Sequence, residues 1–182
     1  MLQEWKKIGS RLAGDFRIFK VRADEKVNPR TNQHSEFFIL ESVDWVNVIA
    51  TTSRDELVMV EQYRHGSNTI ELEIPGGMMD PHESDPVATG LRELREETGY
   101  EGRGGRALNW VWANPAILNN RSHFVVVEHC EHKHDCEFDH SEDLITRLVP
   151  WREVPKLVRE GKIRHPLVVA ALYHYDLERR GA

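Results

Sequence analysis

Arg92-Glu93-Leu94-Arg95-Glu96-Glu97-Thr98-Gly99-Tyr100 carries three carboxylates at helical spacing. At about 100° per residue, Glu96 and Glu97 fall on either side of Glu93, so the three acids share one stripe. Val87, Leu91, Leu94 and Thr98 share another stripe, which can pack against a core. An acidic strip with an apolar back is a cradle for hard cations, and Mg²⁺ takes a few carboxylate oxygens together with waters and substrate phosphates. The alternative is a solvated face relieved by i,i+4 pairs such as Arg92 with Glu96.

The residues around this stretch support a helix with defined ends. Ile74-Pro75-Gly76-Gly77-Met78-Met79-Asp80-Pro81-His82-Glu83 closes a strand in a glycine turn and delivers a fourth carboxylate. Asp85 stands at the N-cap, Pro86 at the first helical position and Gly99 at the C-terminal cap. The helix is predicted from Pro86 to Thr98, about 20 Å long. The paired glycines let backbone approach a ligand and turn a carbonyl toward a metal.

These residues resemble the box of the Nudix hydrolases, G-x5-E-x7-R-E-U-x-E-E-x-G-U with U apolar. Gly77, Glu83, Arg92, Glu93, Leu94, Glu96, Glu97 and Gly99 occupy its fixed positions, and Tyr100 its last apolar one. One departure stands out: eight residues, Ser84 to Leu91, separate Glu83 from Arg92 where the pattern has seven. The extra residue falls in the Ser84-Asp85-Pro86 lead-in, ahead of the helical acids. The resemblance implies an α/β fold, the Nudix α/β/α sandwich with a mixed sheet, over residues 42–182. It also implies Glu93, Glu96, Glu97 and the Gly76 carbonyl as metal ligands, with Arg92 bracing the carboxylates. The metal would be Mg²⁺, with Mn²⁺ as the alternative.

Strand patterns fill out that frame. Phe16 to Val21 alternates, Asn28-Pro29-Arg30-Thr31-Asn32 reads as a turn, and Glu36 to Glu41 reads as a second strand. These residues predict a small N-terminal antiparallel β unit over residues 1–41. Trp45 to Ala50, Leu57 to Tyr63, Thr69 to Ile74, Trp110 to Ala113, Phe124 to Glu128 and Ile145 to Val149 are predicted strands. Helices are predicted over Trp151 to Glu160 and from Pro166 onward, the latter with Leu167, Ala170, Ala171 and Tyr175 inward.

Substrate clues lie outside the box. Pro115 stands fifteen residues after Tyr100, a spacing associated within the family with ADP-ribose pyrophosphatases; Asn114-Pro115 could equally start a turn. The N-terminal β unit, Gln62-Tyr63-Arg64 at a strand end and the Glu71-to-Gly77 lead-in resemble the same group, which also cleaves nucleoside diphosphate sugars. Arg64 is placed to grip phosphate through its planar fork, and Glu73 to orient Arg64 or hold a water. Arg30 could reach a phosphate across a dimer interface, and Trp5 or Phe16 could stack on a base. His140-Ser141-Glu142-Asp143-Leu144 resembles the loop that supplies a late glutamate. Glu142 is therefore the candidate base, with His140 as the alternative.

The expected activity is Mg²⁺-dependent hydrolysis of ADP-ribose or a nucleoside diphosphate sugar to a nucleoside monophosphate and a sugar phosphate. The alternatives are hydrolysis of dinucleoside polyphosphates or nucleoside triphosphates, and a non-catalytic sensor on the same scaffold. The resemblance implies a homodimer whose N-terminal units complete each other's sites. A net charge of −6 argues against a general nucleic-acid partner, and no apolar run reaches membrane-spanning length. The start lacks the apolar core of a signal peptide, and Cys130 and Cys136 form no disulfide framework, so the expected address is the cytoplasm. Residues 128–140 hold four histidines and two cysteines, but their spacing matches no common zinc site, and a polar hairpin loop is expected.

Overall fold

The computed structural model describes residues 1–140 and 142–181. Ser141, in the loop that carries Glu142, lies outside the described residues. The chain forms two compact units, one of Met1–Asp44 with Trp112–Arg121, the other of Trp45–Val111 with Ser122 onward.

The first unit is a three-stranded antiparallel sheet, β1 (Lys6–Asp15), β2 (Lys20–Val27) and β3 (His34–Glu41), in that order. The expected strand at Phe16 to Val21 is a correction: Phe16 to Phe19 is the β1–β2 turn, closed by Phe16 N–H donating to Phe19 O at 2.9 Å. The strand that precedes it escapes pattern reading because its register shifts between Lys7 and Gly9 and again between Leu12 and Gly14. Each bulge inserts a residue and resets the alternation of faces. The Asn28–Asn32 turn is present, with Asn32 N–H donating to Asn28 O at 2.9 Å. Buried Asp24 accepts from Ser10 Oγ at 2.7 Å and from Arg22 Nε at 2.9 Å. Burial would raise its pKa, but these bonds carry it below the ordinary carboxylate value. Residues 112–121 join this unit through a parallel bridge between Leu40 and Leu118.

The second unit holds β4 (Trp45–Thr51), β5 (Glu56–Arg64), β6 (Thr69–Glu73), β7 (Gly76–Met78), α1 (Pro86–Thr98), β8 (Tyr100–Glu101), β9 (Arg106–Trp112), β10 (Arg121–Val127), β11 (Glu131–His132) and β12 (Leu144–Pro150). A 3-10 turn (Trp151–Glu153), α2 (Val154–Arg159) and α3 (Pro166–Arg179) follow. The large sheet runs β12-β5-β4-β10-β9, with β6 added to β5 and β7 to β4, while β8 and β11 form a separate pair. β4 pairs in parallel with β10 and antiparallel with β5 and β7, so the sheet is mixed.

Alternation along the central strands builds two cores. Val46, Val48, Ala50, Val58, Val125 and Val127 face one side and pack with Leu94 of α1. Ile49, Leu57, Met59, Phe124 and Val126 face the other and pack with Val168, Ala171, Leu172 and Tyr175 of α3. With a period of two, neighbours in one strand serve opposite layers, which gives the α/β/α sandwich. Ala170, expected on the inner face of α3, is only half-buried; Val168 and Leu172 take the deeper places. The predicted Trp151-to-Glu160 helix divides into the 3-10 turn and α2. Pro155 sits in the first turn of α2, where its missing N–H costs no hydrogen bond. Gly90 lets α1 approach the sheet, since a Cβ there would lie 3.1 Å from Val46 Cγ1 and 3.2 Å from Val48 Cγ2.

Candidate active site

Local chemistry sets the position of α1. Asp85 Oδ1 accepts from Val87 N–H at 2.9 Å, which satisfies one of the free donors of the first turn. Gly99 adopts the left-handed conformation (φ 69°), and its N–H donates to Arg95 O at 2.8 Å.

The three acids of the helix do not share one environment. Glu93 and Glu97 are buried, 8% and 3% exposed, whereas Glu96 is half-buried. Arg92 divides them. Its Nη2 lies 3.0 Å from Glu93 Oε1, its Nη1 donates to Glu96 Oε2 at 2.9 Å, and its Nε lies 3.6 Å from Glu83 Oε1. Gly76 N–H donates to Glu97 Oε2 at 3.0 Å, so the contact Gly76 makes with these acids runs through its N–H. Gly77 lies so close to Glu93 that a Cβ would fall 2.5 Å from Oε1. The glycine pair is laid directly along the two buried carboxylates.

Glu83 keeps its reach despite the extra residue that follows it. Its Oε2 accepts from Asp80 N–H at 2.8 Å and from Thr89 Oγ1 at 2.9 Å. The Asp80 bond above all holds it below the ordinary carboxylate range. The insertion is absorbed between Glu83 and the start of α1.

Burial pushes Glu97 up to about 8, with the Gly76 bond opposing and the charges of Glu93 and Glu142 adding. Burial likewise pushes Glu93 up to about 7, against the pull of Arg92 and with Glu96 and Glu142 adding. Two buried acids that hold protons near neutrality are a site short of positive charge. Among the described residues no group of three or more His, Cys, Asp or Glu side chains is gathered so that it could hold a metal ion by itself. Two buried carboxylates with a third beside them nevertheless suit a hard ion that keeps waters and takes further oxygens from substrate phosphates.

Arg64 ends β5, and its guanidinium grips buried Glu73 with two bonds, Nε to Oε1 and Nη2 to Oε2, both 2.8 Å. That grip chiefly raises the Arg64 pKa and fixes the plane of the fork. Arg64, Glu73, Gly76, Gly77 and Asn47 line one cavity of about 290 Å³. Glu142 sits in a turn, accepting from Asp139 N–H at 3.0 Å and donating its own N–H to Asp139 O at 3.0 Å. The charges of Glu93, Glu97 and Arg64 all respond to it. His140 is exposed.

The remaining candidates lie in the first unit. Pro115 is exposed in the 112–121 segment, where Asn114 O accepts from Ile117 N–H at 3.1 Å and Leu118 N–H at 2.7 Å. Arg30 is exposed and lines, with Trp5, a cavity of about 490 Å³. Phe16 stacks on Phe19 within the β1–β2 turn.

Sequence reading named Glu71 only as the start of the lead-in and did not single out Arg164 or His165. Glu71 is buried and accepts from Arg164 Nη2 at 2.7 Å across 93 residues of chain; such a pair leaves no local signal. In the histidine-rich loop, Tyr100 packs edge-on to His132, His134 Nε2 lies 2.8 Å from Glu101 Oε2, and both cysteines are free.

The buried acids predict a pH-dependent stability. Their folded pKa values lie above the ordinary 4.5. The stability that comes from holding those protons is complete below about pH 4.5 and is lost as pH rises through about 7 and 8. In EDTA the Tm is expected to fall between about pH 5.5 and 8.5, and an added divalent cation such as Mg²⁺ is expected to raise it more at the upper end. Thermal melts at both pH values check this; an equal Mg²⁺ effect at the two ends overturns it.

A NUDIX domain model matches residues 41–171. Over 165 residues the chain is 32% identical to a methanol dehydrogenase activator of Bacillus methanolicus, covering 89% of this chain and 87% of that one. It is 28% identical over 136 residues to an ADP-ribose pyrophosphatase of Bacillus subtilis, covering 73% and 72%. Its fold is similar to that of a solved ADP compounds hydrolase, with a TM-score of 0.85 at 21% identity over 100% of this chain and 98% of the other. Nudix hydrolases generally use divalent metal ions. By its box, its sandwich and the match across most of its length, the chain belongs to the Nudix hydrolase family.

Proposed function

We propose that this Nudix hydrolase cleaves the pyrophosphate bond of ADP-ribose or another nucleoside diphosphate sugar, giving a nucleoside monophosphate and a sugar phosphate. Mg²⁺ is the proposed metal, with Mn²⁺ as the alternative. The observation that carries the reading is the pair of buried carboxylates, Glu93 and Glu97, laid against Gly76 and Gly77 beside the fixed guanidinium of Arg64. The Bacillus subtilis relative, an ADP-ribose pyrophosphatase, supports the choice of substrate.

A diphosphate repels an incoming nucleophile. Glu93, Glu97, Glu96 and the Gly76 carbonyl would hold the cation, which would supply positive charge against the phosphates and acidify the attacking water. Arg92 holds Glu93 and Glu96 in place. Arg64 donates to a phosphate oxygen, its plane already set by Glu73, so little ordering remains for the moment of reaction. Glu142 takes the proton of the attacking water.

Dinucleoside polyphosphate or triphosphate hydrolysis remains the runner-up within the family. A sensor that only binds is disfavoured, because Glu83, Glu93, Glu96 and Glu97 are all present. One panel tests all three: ADP-ribose, GDP-mannose, UDP-glucose, diadenosine polyphosphates and nucleoside triphosphates, with Mg²⁺ and then Mn²⁺. Turnover of diphosphate sugars above the rest is the expected result. Preference for polyphosphates overturns it, and no turnover at all favours the sensor.

The proposal includes a symmetric homodimer. The first unit exposes Ile8, Leu12, Phe37 and Phe38 on its small sheet, and three strands of such composition do not bury both faces alone. A second copy related by two-fold symmetry would cover them. Light scattering at micromolar concentration is expected to give twice the chain mass, and removal of residues 1–40 to weaken diphosphate-sugar binding. A fully active monomer overturns the dimer. No helix among the described residues is long and apolar enough to cross a membrane. The cytoplasm is the proposed address, on the expectation from cysteine usage.

A further inference from the structure

Arg64 and His165 each line two cavities. One is the cavity of about 290 Å³ that also contains Gly76 and Gly77. The other, about 720 Å³, is formed by the end of β5, the β5–β6 turn and the residues that open α3. Its size falls within the roughly 300–1,000 Å³ typical of small-molecule sites. A diphosphate gripped by Arg64 therefore has a second, larger space next to it.

The charges of that larger space are already matched. Arg64 is paired with Glu73, and Arg164 donates to buried Glu71 from Nε at 3.2 Å and Nη2 at 2.7 Å. The hydroxyl of Thr69 and the Arg164 bonds keep Glu71 below the ordinary carboxylate range, and hence ionised. Neither arginine of the larger space is left unpaired to hold a further anionic group. The lining that remains holds no lysine or arginine; its polar side chains are those of Gln62, Tyr63, His65, Ser67, Thr69 and His165. His165 Nδ1 is buried without a hydrogen-bond partner. Burial lowers the pKa of its imidazole, which favours the neutral ring. A buried polar atom without a partner costs free energy that a ligand group can recover.

We propose that the larger cavity receives the group attached beyond the second phosphate, that this group is a neutral polyol of the sugar class, and that His165 Nδ1 hydrogen-bonds one of its hydroxyls. This rests on the pyrophosphatase reading above. It makes His165 a specificity-determining residue, and it would give a site with two arginines a preference for a neutral terminus over another phosphate.

The test compares two substrates in kcat/KM: the diphosphate sugar turned over best, and the methyl ester of the same nucleoside diphosphate. The wild-type enzyme is expected to prefer the sugar by about tenfold or more, the scale of a site built to bond a hydroxyl. His165→Phe keeps the ring shape but removes the nitrogen, and is expected to erase most of that preference, chiefly through KM. His165→Asn places an amide near the position of Nδ1 and is expected to retain it. Ser67→Trp fills the cavity from its exposed turn, and is expected to erase the preference even if His165→Phe folds poorly. A sugar preference unchanged in both His165→Phe and Ser67→Trp overturns the subsite, as does an equal loss on both substrates. A changed preference between adenine and uracil nucleotides assigns the cavity to the base and also overturns it. If the wild-type enzyme turns over neither substrate, the pyrophosphatase reading fails and the subsite falls with it.

Discussion

Glu97→Gln is expected to lower kcat at saturating Mg²⁺ by about 10³-fold or more, roughly 4 kcal/mol of transition-state stabilisation, in a protein that stays folded. The substitution keeps length and helix propensity and leaves an amide oxygen able to accept from Gly76 N–H, the bond that ties α1 to β7. What it removes is a negative charge that is 3% exposed and whose pKa burial raises to about 8. Without metal that charge is a burden on the fold, so Glu97→Gln is expected to melt higher than the wild type in EDTA near pH 8 and to lose most of the Mg²⁺-induced rise in Tm. A stabilised yet inactive protein is the signature of a carboxylate kept for a cation. Glu96→Gln is expected to cost less, since Glu96 is half-buried and bonded to Arg92. Steady-state rates with Mg²⁺ titration and melts in EDTA check both variants. A Glu97→Gln enzyme with a near-wild-type rate removes Glu97 from the metal site.

The helix that carries this chemistry was legible because its signals are local. Asp85, Pro86 and Gly99 act on neighbouring backbone, and the structure places α1 at Pro86–Thr98 as they predict. Helical spacing also put Glu93, Glu96 and Glu97 on one stripe, but it could not tell that Glu93 and Glu97 turn inward while Glu96 turns to Arg92. That division depends on where β7 lies, and β7 is a three-residue strand too short to show alternation. β1 was missed for a related reason, because two register shifts break the period on which strand reading depends. The Glu71–Arg164 pair and the orphaned nitrogen of His165 depend on contacts between β6 and the residues before α3. The return of residues 112–121 to the first unit depends on Leu118 lying beside Leu40. Contacts between distant segments have no spacing to read, and the larger cavity is built almost wholly from them.

The loop that carries Glu142 is the last such case, and it supports the second prediction of large effect. Glu142→Gln is expected to cut kcat by about 10²-fold or more with KM little changed, while His140→Gln does little. Glu93, Glu96 and Glu97 are assigned to the cation, and a carboxylate bound to a cation is a poor base. Glu83 accepts from Asp80 N–H and Thr89 Oγ1, and Glu73 is tied to Arg64 by two bonds. Glu142 is the carboxylate left over, and its charge already acts on Glu93, Glu97 and Arg64. In the free protein its side chain accepts from Asp139 N–H within its own turn. That bond is one a loop can exchange for the attacking water when substrate closes the site. Loss of the base acts on the chemical step, so it appears in kcat. Loss of a turn bond alone would appear in Tm, and the two readouts separate the roles. A large kcat effect for His140→Gln with a small one for Glu142→Gln moves the base to His140. Small effects from both mean that the water needs no base from this loop.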